Sequence, residues 1–133
     1  MGDRAIITFN DTDVVHDVTE DIGIYLHWNG NRHWVEAFIR MAKEYGFRYD
    51  DYGIARLCQM IGNTIGTTLS MGVGRASRMD DSDNGTYFVA ADWTIWESMN
   101  TPPLDDEKQV EWYMTEIRAK NDQFFKDTGY PYK

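Results

Sequence analysis

The sequence predicts an α+β protein, a mostly antiparallel sheet of about five strands with three helices packed on one face. Three observations carry that prediction. Apolar residues alternate with polar or small ones in short runs before residue 30 and again between 69 and 96; two runs at helical spacing separate those blocks; and a longer helical run closes the chain. A length of 133 residues fits one domain, 1–133, read as an α+β core over 5–97 and a C-terminal helix over 104–128.

Ala5, Ile7 and Phe9 alternate as a first strand, and Asn10-Asp11-Thr12-Asp13 is turn chemistry leading to a second near Val14 to Val18, so the two predict a hairpin. In a third strand Ile22, Ile24, Leu26 and Trp28 share one face, which makes Trp28 a core residue, while Tyr25 and His27 share the other. Asn29-Gly30 ends it. Asn31 then caps a helix whose stripe is Val35, Phe38, Ile39, Ala42 and Tyr45, with Gly46 as terminator and Arg32/Glu36 and Arg40/Glu44 as i,i+4 pairs. A second helix starts at Asp50 or Asp51 and carries Ile54, Leu57, Cys58, Ile61 and Ile65 along one side; Gly62 and Gly66 imply close backbone packing or an early end. Leu69, Met71 and Val73 alternate as a strand. Asn84-Gly85 marks a tight turn before β segments at Tyr87 to Ala91 and Thr94 to Trp96. Ser98 to Pro103 is the one linker-like stretch. The last helix opens on Asp105, Asp106 and Glu107, which suit its positive end, buries Val110, Tyr113, Met114, Ile117 and Phe124, and stops at Gly129.

Charge narrows the function classes. Thirteen Lys+Arg against 22 Asp+Glu give a net charge of −9, which argues against direct nucleic-acid binding because backbone phosphates require a basic footprint. The single Cys58 closes no intrachain bridge and suits a reducing compartment. The start lacks a basic segment followed by an apolar run, Ile6 stands where myristoylation wants Ser or Thr, and no run approaches 18 apolar residues, so the expected setting is cytoplasmic, away from membranes.

Catalytic constellations are missing from the sequence. His16, His27 and His33 form no helical ligand pair, there is no G-x-S-x-G elbow and no Walker loop, and Cys58 sits on an apolar stripe where a thiol is inert. Gly72-Val73-Gly74 reads as a strand that approaches a neighbour closely. Asp80 to Gly85 begins like a calcium loop, but Ala91 stands where the closing Glu belongs, which leaves a solvated turn. Asp92, between Ala90-Ala91 and Trp93, reads as the one carboxylate that is partly buried, although a turn residue bonding its own backbone is the better reading. The expectation is no catalytic residue, no metal and no cofactor; the enzyme alternative is a small hydrolase with His27 as general base.

Arginine is the suggestive residue type. Eight of the 13 basic residues are Arg, and Arg32, Arg48, Arg56, Arg75 and Arg78 lie at predicted element ends or on polar faces, where guanidinium forks suit phosphate or carboxylate. Arg32 adds a helix N-terminus, although its plain reading is the partner of Glu36. Tyr25 and His27 read equally as a ring platform and as plain exposed surface. The candidate ligand-binding set is Arg32, Arg56 and Arg75 for phosphates, Tyr25 and His27 for a base, and Asn63 for hydrogen bonds. A competing surface is the run Asp11, Asp13, Asp17, Glu20 and Asp21, which imitates nucleic-acid phosphates toward a basic partner protein but also serves as ordinary edge-strand protection.

Gly23 to Gly30 (GIYLHWNG), Tyr52 to Asn63 (YGIARLCQMIGN) and Asp83 to Tyr87 (DNGTY) resemble a family of small proteins encoded by bacteriophages and prophages of Gram-positive bacteria, over roughly residues 5 to 97. The resemblance implies a phage origin and the host cytoplasm during infection, and it carries over no catalytic residue. Small phage proteins of this kind counter host defences by blocking a defence protein or by sequestering a nucleotide signal. The implied function is therefore a non-enzymatic, homo-oligomeric sponge for a nucleotide-derived small molecule such as a cyclic nucleotide or an ADP-ribose-type signal; the alternative is an acidic inhibitor of a basic nucleic-acid-binding defence protein.

Overall fold

The computed structural model describes residues 2–9, 22–66, 69–96 and 101–131. Ala5–Phe9 forms β1, Ile22–Leu26 β2, Met71–Arg75 β3 and Thr86–Val89 β4, in the spatial order β3-β2-β1-β4. β1 pairs antiparallel with β2, placing Ile7 opposite Ile24, and β2 pairs antiparallel with β3, placing Ile24 opposite Val73. The β1–β4 pair is parallel, with Ile7 beside Tyr87.

The class is the predicted α+β, with two differences in the sheet. Among the described residues it has four strands, and it is mixed, because the chain returns to the free side of β1 only after two helices and β3, and then enters in the direction of β1. The predicted strand Val14 to Val18 lies outside the described residues. Thr94 to Trp96 contributes a single bridge, Val89 to Ile95, and a bond from the Trp96 N–H to the Phe88 carbonyl, because a turn with Trp93 at φ +59° folds this stretch straight back. β2 also stops at Leu26. Asn29, at φ +65°, swings the chain away, so Trp28 is 44% exposed and meets the His27 ring edge-on instead of entering the core.

The helices follow their capping signals. α1 (Arg32–Tyr45) begins where Asn31 Oδ1 accepts the Trp34 N–H at 3.1 Å and ends at Gly46, φ +78°. α2 (Asp51–Ile65) begins where Asp50 Oδ1 accepts the Gly53 N–H at 3.0 Å. Gly53 is required there, since a Cβ would sit 1.4 Å from the Arg48 carbonyl oxygen. α3 (Glu107–Phe125) is capped by Asp106. In its last turn Phe125 is buried and Phe124 is exposed, a one-residue departure from the predicted stripe.

All three helices cover one face of the sheet. Ala5, Ile7, Ile24, Leu26, Tyr87 and Val89 meet Val35, Phe38 and Ile39 of α1, Leu57 and Ile61 of α2, and Val110, Met114 and Ile117 of α3 in one core. Trp34 and Tyr113 stack with centroids 3.8 Å apart, locking α1 to α3, and Arg118 with Glu44 and Arg40 with Glu107 tie the rim of that contact. On the opposite face, Ile6 and Thr8 are buried as well, and a 3₁₀ turn, Ala76–Arg78, crosses Gly23 so closely that a Cβ there would lie 2.9 Å from the Ala76 Cα.

Ile7 stands at the centre of this core, so Ile7→Ala is expected to lower the unfolding free energy by about 3 kcal/mol, through lost burial and the cavity left behind. Urea denaturation should show an earlier midpoint at an unchanged slope.

Candidate functional site

The end of α1, the start of α2 and the C-terminal residues meet in an open groove of about 350 Å³, lined by Gly46, Arg48, Tyr52, Arg56, Tyr130 and Pro131. Buried Phe47 fixes its floor: its ring packs against Tyr45, Phe125 and Tyr130, and its carbonyl accepts the Trp93 indole N–H at 2.8 Å. Tyr130 is held edge-on between Phe47 and Phe125, which brings the end of the chain back to the helices.

Two guanidinium groups serve this groove, in different states. Arg48 donates from Nε to Asp50 Oδ2 at 2.8 Å, approaches the same oxygen through Nη2 at 2.7 Å, and lies 4.9 Å from the Tyr52 ring centroid. Asp50 is held below the usual carboxylate range, first by the Gly53 N–H it caps and then by Arg48. Arg56 has no ion pair among the described residues, and its buried Nε has no hydrogen-bond acceptor there. Both cations are felt at Tyr130, whose hydroxyl burial pushes above its ordinary pKa while Arg56 and Arg48 pull against that shift.

The six predicted ligand residues do not share this site. Arg32 is 2% exposed, with Nε 3.5 Å from Glu36 Oε2 and Nη1 donating to the Pro102 carbonyl at 3.3 Å, so it fastens the segment before α3 onto α1. Arg75 lies exposed at the end of β3. Asn63 donates to Asn121 Oδ1 at 3.1 Å, and Asn121 bonds Thr64 and the Ile117 carbonyl, a polar link between α2 and α3. Tyr25 and His27 do come together, hydroxyl to Nδ1 at 2.8 Å, on the sheet face opposite the helices. Tyr25 also lines a shallower cleft with Gly72, Val73, Arg78, Met79 and Asp80. Arg56 alone of the six reaches the groove.

Arg48, Tyr52 and Tyr130 were not among the selected residues. The i,i+4 spacing of Tyr52 and Arg56 on α2 was a usable signal for Tyr52; Arg48 precedes the helix, Tyr130 comes from the C-terminal residues, and no local pattern marks either. The acids of the calcium-like stretch bond the protein itself: Asp80 and Asp83 hold Arg4 at 2.6 and 2.8 Å, and Asp81 accepts from Thr86 Oγ1 at 2.7 Å. Asp92 is exposed and accepts from the Thr94 hydroxyl at 2.6 Å, a side-chain bond within the turn. Among the described residues no group of three His, Cys, Asp or Glu side chains could hold a metal ion, and burial pushes the half-buried Cys58 thiol up, away from the reactive thiolate. No helix among them is long and apolar enough to cross a membrane. The acidic run Asp11 to Asp21 lies outside the described residues. Comparison with family models, curated proteins and solved structures finds no match to this chain.

Asp50, Asp80, Asp83 and Glu107 are all depressed in the fold by hydrogen bonds or guanidinium partners. A folded pKa below the unfolded one gives stability that is complete above the ordinary carboxylate range and is lost as pH falls through the depressed values. The thermal midpoint is therefore expected to drop below about pH 4, and Asp83→Asn, which keeps an oxygen acceptor for Arg4 but removes the titrating charge, should make that drop shallower.

Proposed function

We propose that the chain captures, without turning it over, a small molecule bearing an anionic group and a planar ring, in the groove of Arg48, Tyr52, Arg56 and Tyr130. The supporting observation is Arg56, a guanidinium with no acid partner among the described residues beside a second Arg and two phenol rings. Such a fork binds phosphate or carboxylate bidentately, and Arg48 already shows the stacking mode on Tyr52 that a ligand ring would share. Asp50 leaves the groove with one cation neutralised and one in surplus, so Arg56 is the anchor for an anionic group of the ligand. The phage resemblance puts cyclic nucleotides and ADP-ribose derivatives first among the ligands of this chemistry.

A thermal-shift series with cyclic dinucleotides and ADP-ribose tests the reading, since a ligand at 100 times its dissociation constant adds about 2.7 kcal/mol of stability. Arg56→Gln is expected to abolish the shift and Tyr52→Ala to reduce it, and the ligand should be recovered intact after the protein is heat-denatured. The absence of a shift with every anion-bearing ring compound would overturn capture; recovery of a cleaved ligand would replace it with hydrolysis.

Asp50→Asn separates the two roles of that residue. Asn caps α2 as well as Asp does, but releases Arg48 from its ion pair, so the variant is expected to fold normally and bind the anion several-fold more tightly, measured by titration calorimetry.

A further inference from the structure

We propose that two copies of the chain join edge to edge through β3, in an antiparallel pairing with Val73 on the two-fold axis, to make one continuous eight-stranded sheet.

The open edge is a matter of hydrogen-bond parity. The His27 N–H donates to the Ser70 carbonyl at 3.0 Å, and the β2–β3 register continues from that pair through Tyr25 with Gly72 and Gly23 with Gly74. In an antiparallel ladder bonded pairs alternate, so Ser70, Gly72 and Gly74 direct their backbone groups at β2, while Met71, Val73 and Arg75 direct theirs outward. The outward N–H and C=O groups of Met71 and Val73 meet no partner among the described residues, while the Arg75 carbonyl opens the 3₁₀ turn Ala76–Arg78. The opposite edge of the sheet is treated differently: β4 is covered by the Val89–Ile95 bridge and the Trp96–Phe88 bond. Exposed edges are usually protected by Lys, Pro or a bulge. β3 has no Lys or Pro and one charge, Arg75 at its end.

The occupant follows from self-complementarity. With Val73 opposite Val73 of the second copy, Met71 faces Arg75 and Arg75 faces Met71, so the outward N–H and C=O groups of Val73 pair with those of its copy and the Arg75 N–H pairs with the Met71 carbonyl. No like charges face each other in that register. On the helix side, the apolar row Ile7, Ile24, Val73 continues into the second copy, covering Val73, which is 57% exposed in the single chain and lies next to half-exposed Ile22. On the other side Gly72 and Gly74 present no side chains to obstruct the approach. Charge points the same way: the chain carries a net −9, yet residues 52–79 contain no Asp or Glu, so this edge is where two such acidic molecules meet with least repulsion.

Sedimentation equilibrium over a wide concentration range is expected to give twice the chain mass. Val73→Lys and Val73→Glu each place like charges on the axis and should each run as monomers with unchanged far-UV circular dichroism, while an equimolar mixture of the two should recover the dimer. Should either variant fail to fold, Val73→Cys in a Cys58→Ser background replaces it: oxidation should yield a covalent dimer in high yield. A monomeric wild-type protein at every concentration, a dimer that persists in both charge variants, or no cross-link at position 73 would each overturn the pairing.

Discussion

Burial of β1 on both faces is the constraint from which the rest of the architecture follows. Ala5, Ile6, Ile7 and Thr8 are all at most 3% exposed, in a strand of five residues. Such a strand cannot lie at a sheet edge or face water on either side. β2 and β4 must therefore flank it, and each face needs its own cover. The helices supply one cover. The other comes from Ala76–Arg78 and Met79, which lie on Gly23 and complete a thin second layer where the sheet would otherwise be open. β1 holds the centre, so β3 is left at the rim with β2 as its one strand partner among the described residues.

The elements legible in the sequence are those whose signals are local. Asn31 and Asp50 cap their helices as the sequence implies, because an N-cap bond spans three residues and needs no tertiary information. Gly46 ends α1 for the same reason. Trp28 shows where locality fails: alternation alone continues the Ile22, Ile24, Leu26 face through it, but the left-handed conformation of Asn29 redirects the chain first. The mixed character of the sheet was equally out of reach, since a period of two describes a strand and says nothing of its neighbours' direction.

The candidate groove divides along the same line. Arg56 was identifiable as a guanidinium on the polar side of a helix, but what distinguishes it from Arg32 is the company each keeps. Glu36 lies one helical turn from Arg32 and pairs with its charge at 3.5 Å, whereas nothing acidic lies within reach of Arg56 along α2. Tyr130 is brought to the groove by the rings of Phe47 and Phe125, of which the contact with Phe47 joins residues far apart in sequence.

One feature of composition links the groove to the β3 edge. Of the eight arginines, Arg4, Arg32, Arg40, Arg48 and Arg118 all have carboxylate partners within 4.0 Å. Arg56, Arg75 and Arg78 have none among the described residues, and all three belong to the acid-free stretch 52–79. In a chain with 22 acids, that distribution concentrates unpaired positive charge on α2 and β3 while the rest of the surface stays negative. On the proposed reading, repulsion from the remaining acids leaves α2 as the approach for an anion and β3 as the approach for a second copy. The absence of carboxylates over these residues thus favours both contacts, which occupy separate surfaces and need not compete.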